Sequence, residues 1–219
     1  SNGTWTLPGD VLTPLASGTY DIDATATDPA GNAGSANLPN GLFVDVTAPV
    51  IGVNTLVTTD TTPAITGTVD DAAAVILVTV AGQSENATNN GNGTWTLADN
   101  TLTALADGVY DVTATATDSL GNVGAESTTN ELRIDTSGPV VTINRLVTND
   151  PTPRITGTVD EAGIVVNVTV EGNTYPAVNN GDGTWTLADN TVTPALAAGT
   201  YDVVAVASDG LGNAGADTT

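Results

Sequence analysis

Hydrophobic and polar residues alternate strictly from Tyr110 to Thr117. Tyr110, Val112, Ala114 and Ala116 occupy one parity, and Asp111, Thr113, Thr115 and Thr117 the other. A period of two puts one set in a core and the other in water, which predicts a half-buried β-strand. Val, Ile and Thr dominate the other patterned segments, as strands prefer, and no segment carries a helical stripe. The pattern predicts seven strands, near 50–54, 64–70, 74–81, 84–88, 93–98 and 109–117 and in the stretch before Asp135. An Asn- and Gly-rich turn, NNGNG, joins the fourth to the fifth as a hairpin.

The pattern is one copy of a repeat. Trp5, Trp95 and Trp185 follow one another at intervals of 90 residues, within NGTWTL from Asn2, NGTWTL from Asn92 and DGTWTL from Asp182. LASGTY, LADGVY and LAAGTY end at Tyr20, Tyr110 and Tyr201, and DPAGN, DSLGN and DGLGN begin at Asp28, Asp118 and Asp209. TPAITGTVD and TPRITGTVD end at Asp70 and Asp160, and the linkers DVTAP and DTSGP begin at Asp45 and Asp135. The expected organisation is an all-β chain of tandem immunoglobulin-like β-sandwich repeats of about 90 residues and seven strands each. Residues 1–46 are the C-terminal half of one repeat, 47–136 a complete repeat, and 137–219 a repeat lacking its last strand. The opening fragment is too small to bury a core alone, so preceding chain or another molecule is expected to complete it. In each LxxGxY copy the Tyr is expected to bond back to upstream backbone, as a tyrosine corner does. All three Trp are expected in cores.

Charge then changes the picture. The chain has 25 Asp and Glu against three cations, Arg133, Arg145 and Arg154, for a net charge of −22, with no His, Cys, Lys or Met. Nucleic acid and anionic membranes are poor partners for such a surface, whereas cations are good ones. Without His or Cys there is no imidazole base, thiolate or disulfide. No apolar run is long enough to span a bilayer, and nothing reads as a signal peptide.

Topology sorts the acids. At the second linker, Asp60 and Asp107 come from the middle repeat, Asp135 from the linker, and Asp160, Glu161, Asp209 and Asn213 from the last repeat. At the first linker the set is Asp45, Asp70, Asp71, Asp118 and Asn122, with Ser17 where Asp107 would stand. Asp150 is assigned to a third junction. Two carboxylates ~4 Å apart repel by about 4 kcal/mol at an effective dielectric of about 20, and Arg154 is the only cation this reading places near the loops. Calcium, which takes carboxylate, Asn and carbonyl oxygens in irregular loops, is the expected cofactor. Turn and cap chemistry is the plainer account of the same Asp residues. NNGDGT near Asp182 echoes an EF-hand loop but lacks its remaining ligands, and a hairpin turn explains it better. NGT and NAT sequons are weak signals in bacterial-looking repeats.

NGDGTWTLADN, LADGVYDVTATATDSLGN and the linkers VDVTAP and IDTSGP resemble bacterial immunoglobulin-like repeats of giant type I-secreted RTX and biofilm-associated adhesins, over the whole chain. The resemblance implies an extracellular, cell-surface extender whose domain junctions are stiffened by calcium. The family's linker Asp falls on Asp45 and Asp135, and its F–G Asp on Asp118 and Asp209. Asp107 has no acidic counterpart at Ser17 or Ala198, and the glycine-rich RTX nonapeptides are absent.

The expected function is therefore a stalk segment that projects a distal ligand-binding domain in adhesion or biofilm formation. Its partners would be neighbouring repeats and calcium ions, with no small-molecule substrate. Each repeat would span about 30–40 Å, from strands of about 8–10 residues at ~3.3 Å each. The alternative is a glycan- or ice-binding module using the Thr113, Thr115, Thr117 row, although outward Thr is ordinary in strands. An enzyme, such as a glycosidase with two carboxylates, is not expected, because no acid pair stands apart from the repeat pattern.

Overall fold

The computed structural model describes residues 3–219. Ser1 and Asn2, where the first copy of the Trp motif opens, lie outside the described residues. In chain order the strands are β1 (Gly18–Thr27) and β2 (Ala33–Val44) in the opening fragment. Then come β3 (Ile51–Val53), β4 (Leu56–Thr58), β5 (Ile65–Val69), β6 (Val75–Val80), β7 (Gln83–Asn89), β8 (Thr94–Leu97), β9 (Gly108–Tyr110), β10 (Val112–Thr117), β11 (Val123–Ser127) and β12 (Leu132–Ile134). The last repeat holds β13 (Val141–Ile143), β14 (Ile155–Val159), β15 (Val165–Val170), β16 (Asn173–Asn179), β17 (Thr184–Leu187), β18 (Val203–Ser208) and β19 (Ala214–Thr218). No helix among the described residues is long and apolar enough to cross a membrane.

The chain forms two compact units, and the strands of the middle repeat are divided between them. The first comprises Ser1–Asn54, Ala64–Ala98 and Val112–Thr129, and the second Thr55–Pro63, Asp99–Asp111 and Asn130–Thr219.

In the first unit, seven strands run in the order β11-β10-β6-β7-β8-β5-β3. β7 turns from one partner to the next: Gln83–Ala87 pair with β6, and Thr88 and Asn89 pair with β8. The buried parity of β10 is Val112, Ala114 and Ala116, each fully enclosed, as the alternation predicts. Trp95 is fully buried and donates its indole N–H to the Gly52 carbonyl at 3.0 Å. Its ring lies where a Cβ on Gly67 would sit, 2.5 Å from the nearest ring atoms, so only glycine fits there.

The opening fragment of this unit is a two-stranded hairpin, β1 against β2. No described residue up to Asp45 is buried, as expected of a segment too small for a core. The expectation that all three Trp are core residues fails at Trp5, which is 69% exposed. The segment 4–7 around it forms no strand.

In the second unit, β4 pairs in parallel with β12, which pairs antiparallel with β9. The last repeat forms a seven-stranded sheet, β13-β14-β17-β16-β15-β18-β19, over a core of Val159, Val166, Val168, Val170, Trp185, Leu187 and neighbours. Trp185 repeats the bond of Trp95, to the Thr142 carbonyl at 3.0 Å.

Three details depart from the sequence expectation. The strand expected over 109–117 breaks at Asp111, whose carboxylate accepts the Asn130 amide at 2.9 Å. β9 before the break pairs with β12, and β10 after it pairs with β6 and β11. Asp21 does the same in the opening fragment, taking the Asn40 amide at 2.7 Å beside a register shift. The stretch before Asp135 is accordingly two strands, β11 and β12, and β4 is a further short strand that the pattern did not announce.

Candidate cation-binding joints

The LxxGxY turns are built alike in all three copies. Tyr20, Tyr110 and Tyr201 each donate their hydroxyl to the carbonyl four residues upstream, of Ala16, Ala106 and Ala197, at 2.9 Å in each case. This is the expected tyrosine corner. It fixes the loop that carries Ser17 in the first copy and Asp107 in the second.

At the first linker, Asp45, Asp70, Asp71 and Asp118 line one cleft of about 390 Å³ with Thr47, Ala48, Pro49 and Ser119. Each acid is held by short-range bonds. Asp45 accepts the Thr47 amide at 2.9 Å and the Ser17 hydroxyl at 3.3 Å. Asp70 accepts the Val50 amide at 2.7 Å and Asp71 the Ala73 amide at 2.8 Å. In all three, one carboxylate oxygen takes these bonds, and among the described residues the other accepts none. Asp118 differs. One oxygen accepts the Leu120 and Asn122 amides, both at 2.8 Å, and the other the Asn122 side chain at 2.7 Å. The Asn122 amide group also donates to the Asp45 carbonyl at 3.1 Å, tying the linker to the β10–β11 loop.

The second linker repeats that tie: Asn213 donates to the Asp135 carbonyl at 3.0 Å and to Asp209 at 2.8 Å. The Asp135 amide donates to Thr58 at 3.0 Å, beside the loop of Asp60, whose carboxylate accepts the Thr62 amide at 2.9 Å. Asp107 accepts the Thr136 amide and hydroxyl, at 2.9 and 2.6 Å, and the Ser137 hydroxyl. At the first linker Ser17 takes over part of this role, its hydroxyl accepting the Val46 amide at 3.0 Å. Asp160 accepts the Val140 amide at 2.7 Å. Glu161 contributes a backbone carbonyl to Asn179 at 2.9 Å.

Arg154 is not the cation of this linker. Arg133 pairs with Asp135 at 2.7 Å, a partner the sequence reading missed although only one residue separates the two. In a strand, residues two apart share a face, which is the signal that finds it. The first linker has Phe43 at the corresponding position. Asp150 accepts the Thr152 amide at 2.9 Å and faces the Asp189 carboxyl. Asp182 accepts the Thr184 amide and hydroxyl at 3.1 and 2.6 Å, a turn contact.

Hydrogen bonding favours the ionised form of three loop acids, Asp107, Asp118 and Asp209. The Asn122 side chain holds the Asp118 carboxyl below the ordinary value of 3.8, and the Ser137 and Thr136 hydroxyls do the same for Asp107. At Asp209 burial pushes upward, but the Asn213, Leu211 and Gly212 donors outweigh it and the net direction is down.

These oxygens suit a hard cation in kind, since a free carboxylate oxygen is what calcium takes. Among the described residues, however, no three carboxylates stand close enough together to enclose an ion. The Thr113, Thr115, Thr117 row of the alternative reading is half-buried on β10, between β6 and β11.

The profile of the bacterial Ig-like domain matches residues 52–136 and 143–219. The chain belongs to the bacterial Ig-like domain family. The two matched stretches are tandem copies, and this bacterial Ig-like chain resembles several solved structures. A Ca²⁺-stabilized adhesin that helps an Antarctic bacterium reach out and bind ice is 20% identical, with a TM-score of 0.44 over 90% of this chain and 54% of that one. A 1.5-MDa bacterial ice-binding adhesin is 21% identical, with a TM-score of 0.43 over 90% and 71%. A tetra-tandem repeat in the extending region of a large adhesion protein is 28% identical, with a TM-score of 0.38 over 93% and 56%. The chain thus spans about half the length of the first and third of these. No curated protein matches it.

Proposed function

We propose that this chain is part of the extender of a bacterial surface adhesin, with repeats at 1–46, 47–136 and 137–219 and linkers that calcium stiffens. The stalk would hold a distal ligand-binding domain away from the cell. The observation that carries the reading is a linker built twice in the same way. In both copies the carbonyl of the linker Asp is gripped by an Asn from the following β-hairpin, and that Asn is locked by an Asp four residues earlier. A spacer needs such a joint, and a binding module does not need to copy it.

At the first linker, Asp45, Asp70 and Asp71 would supply oxygens to the ion, with Asp118 holding the loop. At the second, Asp107, Asp135, Asp160 and Glu161 are the candidates, with Asp209 holding the loop and Asp60 nearby. When bound, calcium would neutralise the carboxylates assigned to each linker. Without it, the repulsion of a chain of charge −22 favours separation of the loops.

Titration of calcium into chelator-treated protein, followed by calorimetry, tests the proposal. Saturable binding that the Asp45→Asn, Asp70→Asn, Asp71→Asn triple variant reduces is the expected result. No heat, with an unchanged melting temperature at millimolar calcium, would overturn it.

A further inference from the structure

The hairpin turns away from the joints carry chemistry of their own. Three Asn–Gly steps lie in the equivalent β7–β8 and β16–β17 turns: Asn90–Gly91 and Asn92–Gly93 in the middle repeat, and Asn180–Gly181 in the last. Asn is among the heat-labile residues. Its side-chain carbon can be attacked by the backbone nitrogen of the next residue, and a glycine there has no Cβ to block the approach.

At Asn90 both partners of that reaction are engaged. The Gly91 amide, which would attack, donates to Asn89 Oδ1 at 3.1 Å. The Asn90 side-chain nitrogen, which would leave, donates to the Thr94 and Thr96 hydroxyls at 2.9 and 3.2 Å. Asn180 is held in the same way. The Gly181 amide donates to Asn179 Oδ1 at 3.0 Å, and the Asn180 nitrogen to Thr184 and Thr186 at 2.8 and 3.2 Å.

Asn92 differs. Among the described residues the Gly93 amide donates no hydrogen bond, while the Gly93 carbonyl accepts the Val69 amide at 3.1 Å. Gly93 has a φ of +89°, and a Cβ there would meet nothing closer than 4.0 Å, so the attacking nitrogen is uncrowded. Asn92 Oδ1 accepts both the Thr94 amide, at 3.2 Å, and the Thr94 hydroxyl, at 2.7 Å. Two donors on this oxygen draw electrons from the side-chain carbon and stabilise the charge that attack would place on the oxygen. Asn92 and Gly93 are exposed, so water reaches both. The last repeat has Asp182 at this position, where it takes the same two bonds from Thr184 at 3.1 and 2.6 Å. The turn therefore accommodates a carboxylate.

We propose that Asn92 is a site of spontaneous deamidation, selected by the fold over Asn90 and Asn180. The Gly93 nitrogen gives its proton to solvent and bonds to the Asn92 side-chain carbon. The bond from that carbon to the side-chain nitrogen breaks, and the nitrogen takes protons from water and leaves as ammonia. Water then opens the resulting five-membered imide. Attack at the side-chain carbonyl leaves an aspartate with its peptide bond intact, and attack at the main-chain carbonyl leaves an isoaspartate. The sum is one water consumed and one ammonia released, with no oxidant or reductant. Each event adds a negative charge to a chain that carries −22.

Incubation of the 219-residue chain in heavy-oxygen water at mildly alkaline pH, followed by peptide mapping with fragment-ion mass spectrometry, tests this. The expected result is labelling at Asn92 about tenfold faster than at Asn90 or Asn180, the ratio that one or two retained hydrogen bonds imply. In denaturant the three rates should converge. Thr94→Ala should slow Asn92 by about tenfold and leave Asn180 unchanged, and Thr94→Ser, which keeps the hydroxyl, should restore the rate. Asn92→Asp should keep the melting temperature, as Asp182 occupies the same turn. Equal rates at the three sites in the folded chain, or no labelling at Asn92, would overturn the proposal. So would a preference for Asn92 that persists in denaturant, or an Asn92 rate that Thr94→Ala leaves unchanged.

Discussion

Gly124 offers a test in which the sign of the effect matters more than its size. It lies in β11, and a Cβ there would meet the Pro49 carbonyl oxygen at 1.7 Å and its carbon at 2.9 Å. Both atoms are backbone, at the point where the first linker enters the middle repeat, so neither can rotate away. Gly215 repeats the contact in the last repeat, 1.8 Å from the Pro139 oxygen. Gly34, the same position in the opening fragment, has nothing within 4 Å. None of the three has a positive φ, so alanine is free of backbone strain at each. At an open site Gly→Ala stabilises by about 0.4–1 kcal/mol by restricting the unfolded chain. An overpacked contact costs about 1–3 kcal/mol. Gly124→Ala should therefore lose about 1–2 kcal/mol net, and about 5–15 °C in the melting temperature of its repeat. Gly34→Ala should leave the melt unchanged or raise it slightly. Differential scanning calorimetry of the parent and both variants reads the difference. Equal effects at Gly34 and Gly124, or a more stable Gly124→Ala, would refute the claim that close backbone approach anchors the linker.

Three further outcomes follow from the joints. Tyr110→Phe and Tyr201→Phe each remove one hydrogen bond, about 1 kcal/mol, and should lower the melting temperature by about 4–8 °C. Tyr20→Phe, in a fragment with no buried residue, should not move the cooperative transition. Asp107, Asp118 and Asp209 have folded-state values below 3.8, so their stabilisation is present above the unfolded value and fades as pH falls through the folded one. The stability gap between the parent and Asp118→Asn should hold from neutral pH to about 4 and narrow below it, which melts at a series of pH values would show. Arg133→Ala frees Asp135 from its exposed ion pair, and calcium titration should find the second joint tighter by about two- to fivefold, as loss of such a pair implies. An unchanged affinity would remove Arg133 from the account of that joint.

The sequence made the repeat, the strands and the tyrosine corners legible because each rests on local, periodic features. Tyr110 and its alternating neighbours announce a strand whatever surrounds them. The break at Asp111 was not legible, because outward Asp in a strand has the same pattern whether it faces water or caps a distant amide such as that of Asn130. Trp5 shows the converse limit: its motif matches Trp95 and Trp185, but burial depends on strands that its fragment does not contain. Strand order assigns the loop acids to linkers, and Asp45, Asp70, Asp71 and Asp118 do line one cleft. Their pairing was not legible, since the Arg133–Asp135 contact and the Asn122 and Asn213 grips on linker carbonyls are matters of side-chain reach. The hydrogen bonds show how each of these side chains is held.

Calcium at the linkers is the central claim, and solution scattering tests it most directly. Small-angle X-ray scattering should be recorded on monomer fractions of this chain eluting from a size-exclusion column, once in chelator and once in millimolar calcium. The account predicts a longer maximum dimension and a sharper pair-distance profile with calcium, reversed on adding chelator. Superimposable profiles in the two buffers would contradict it.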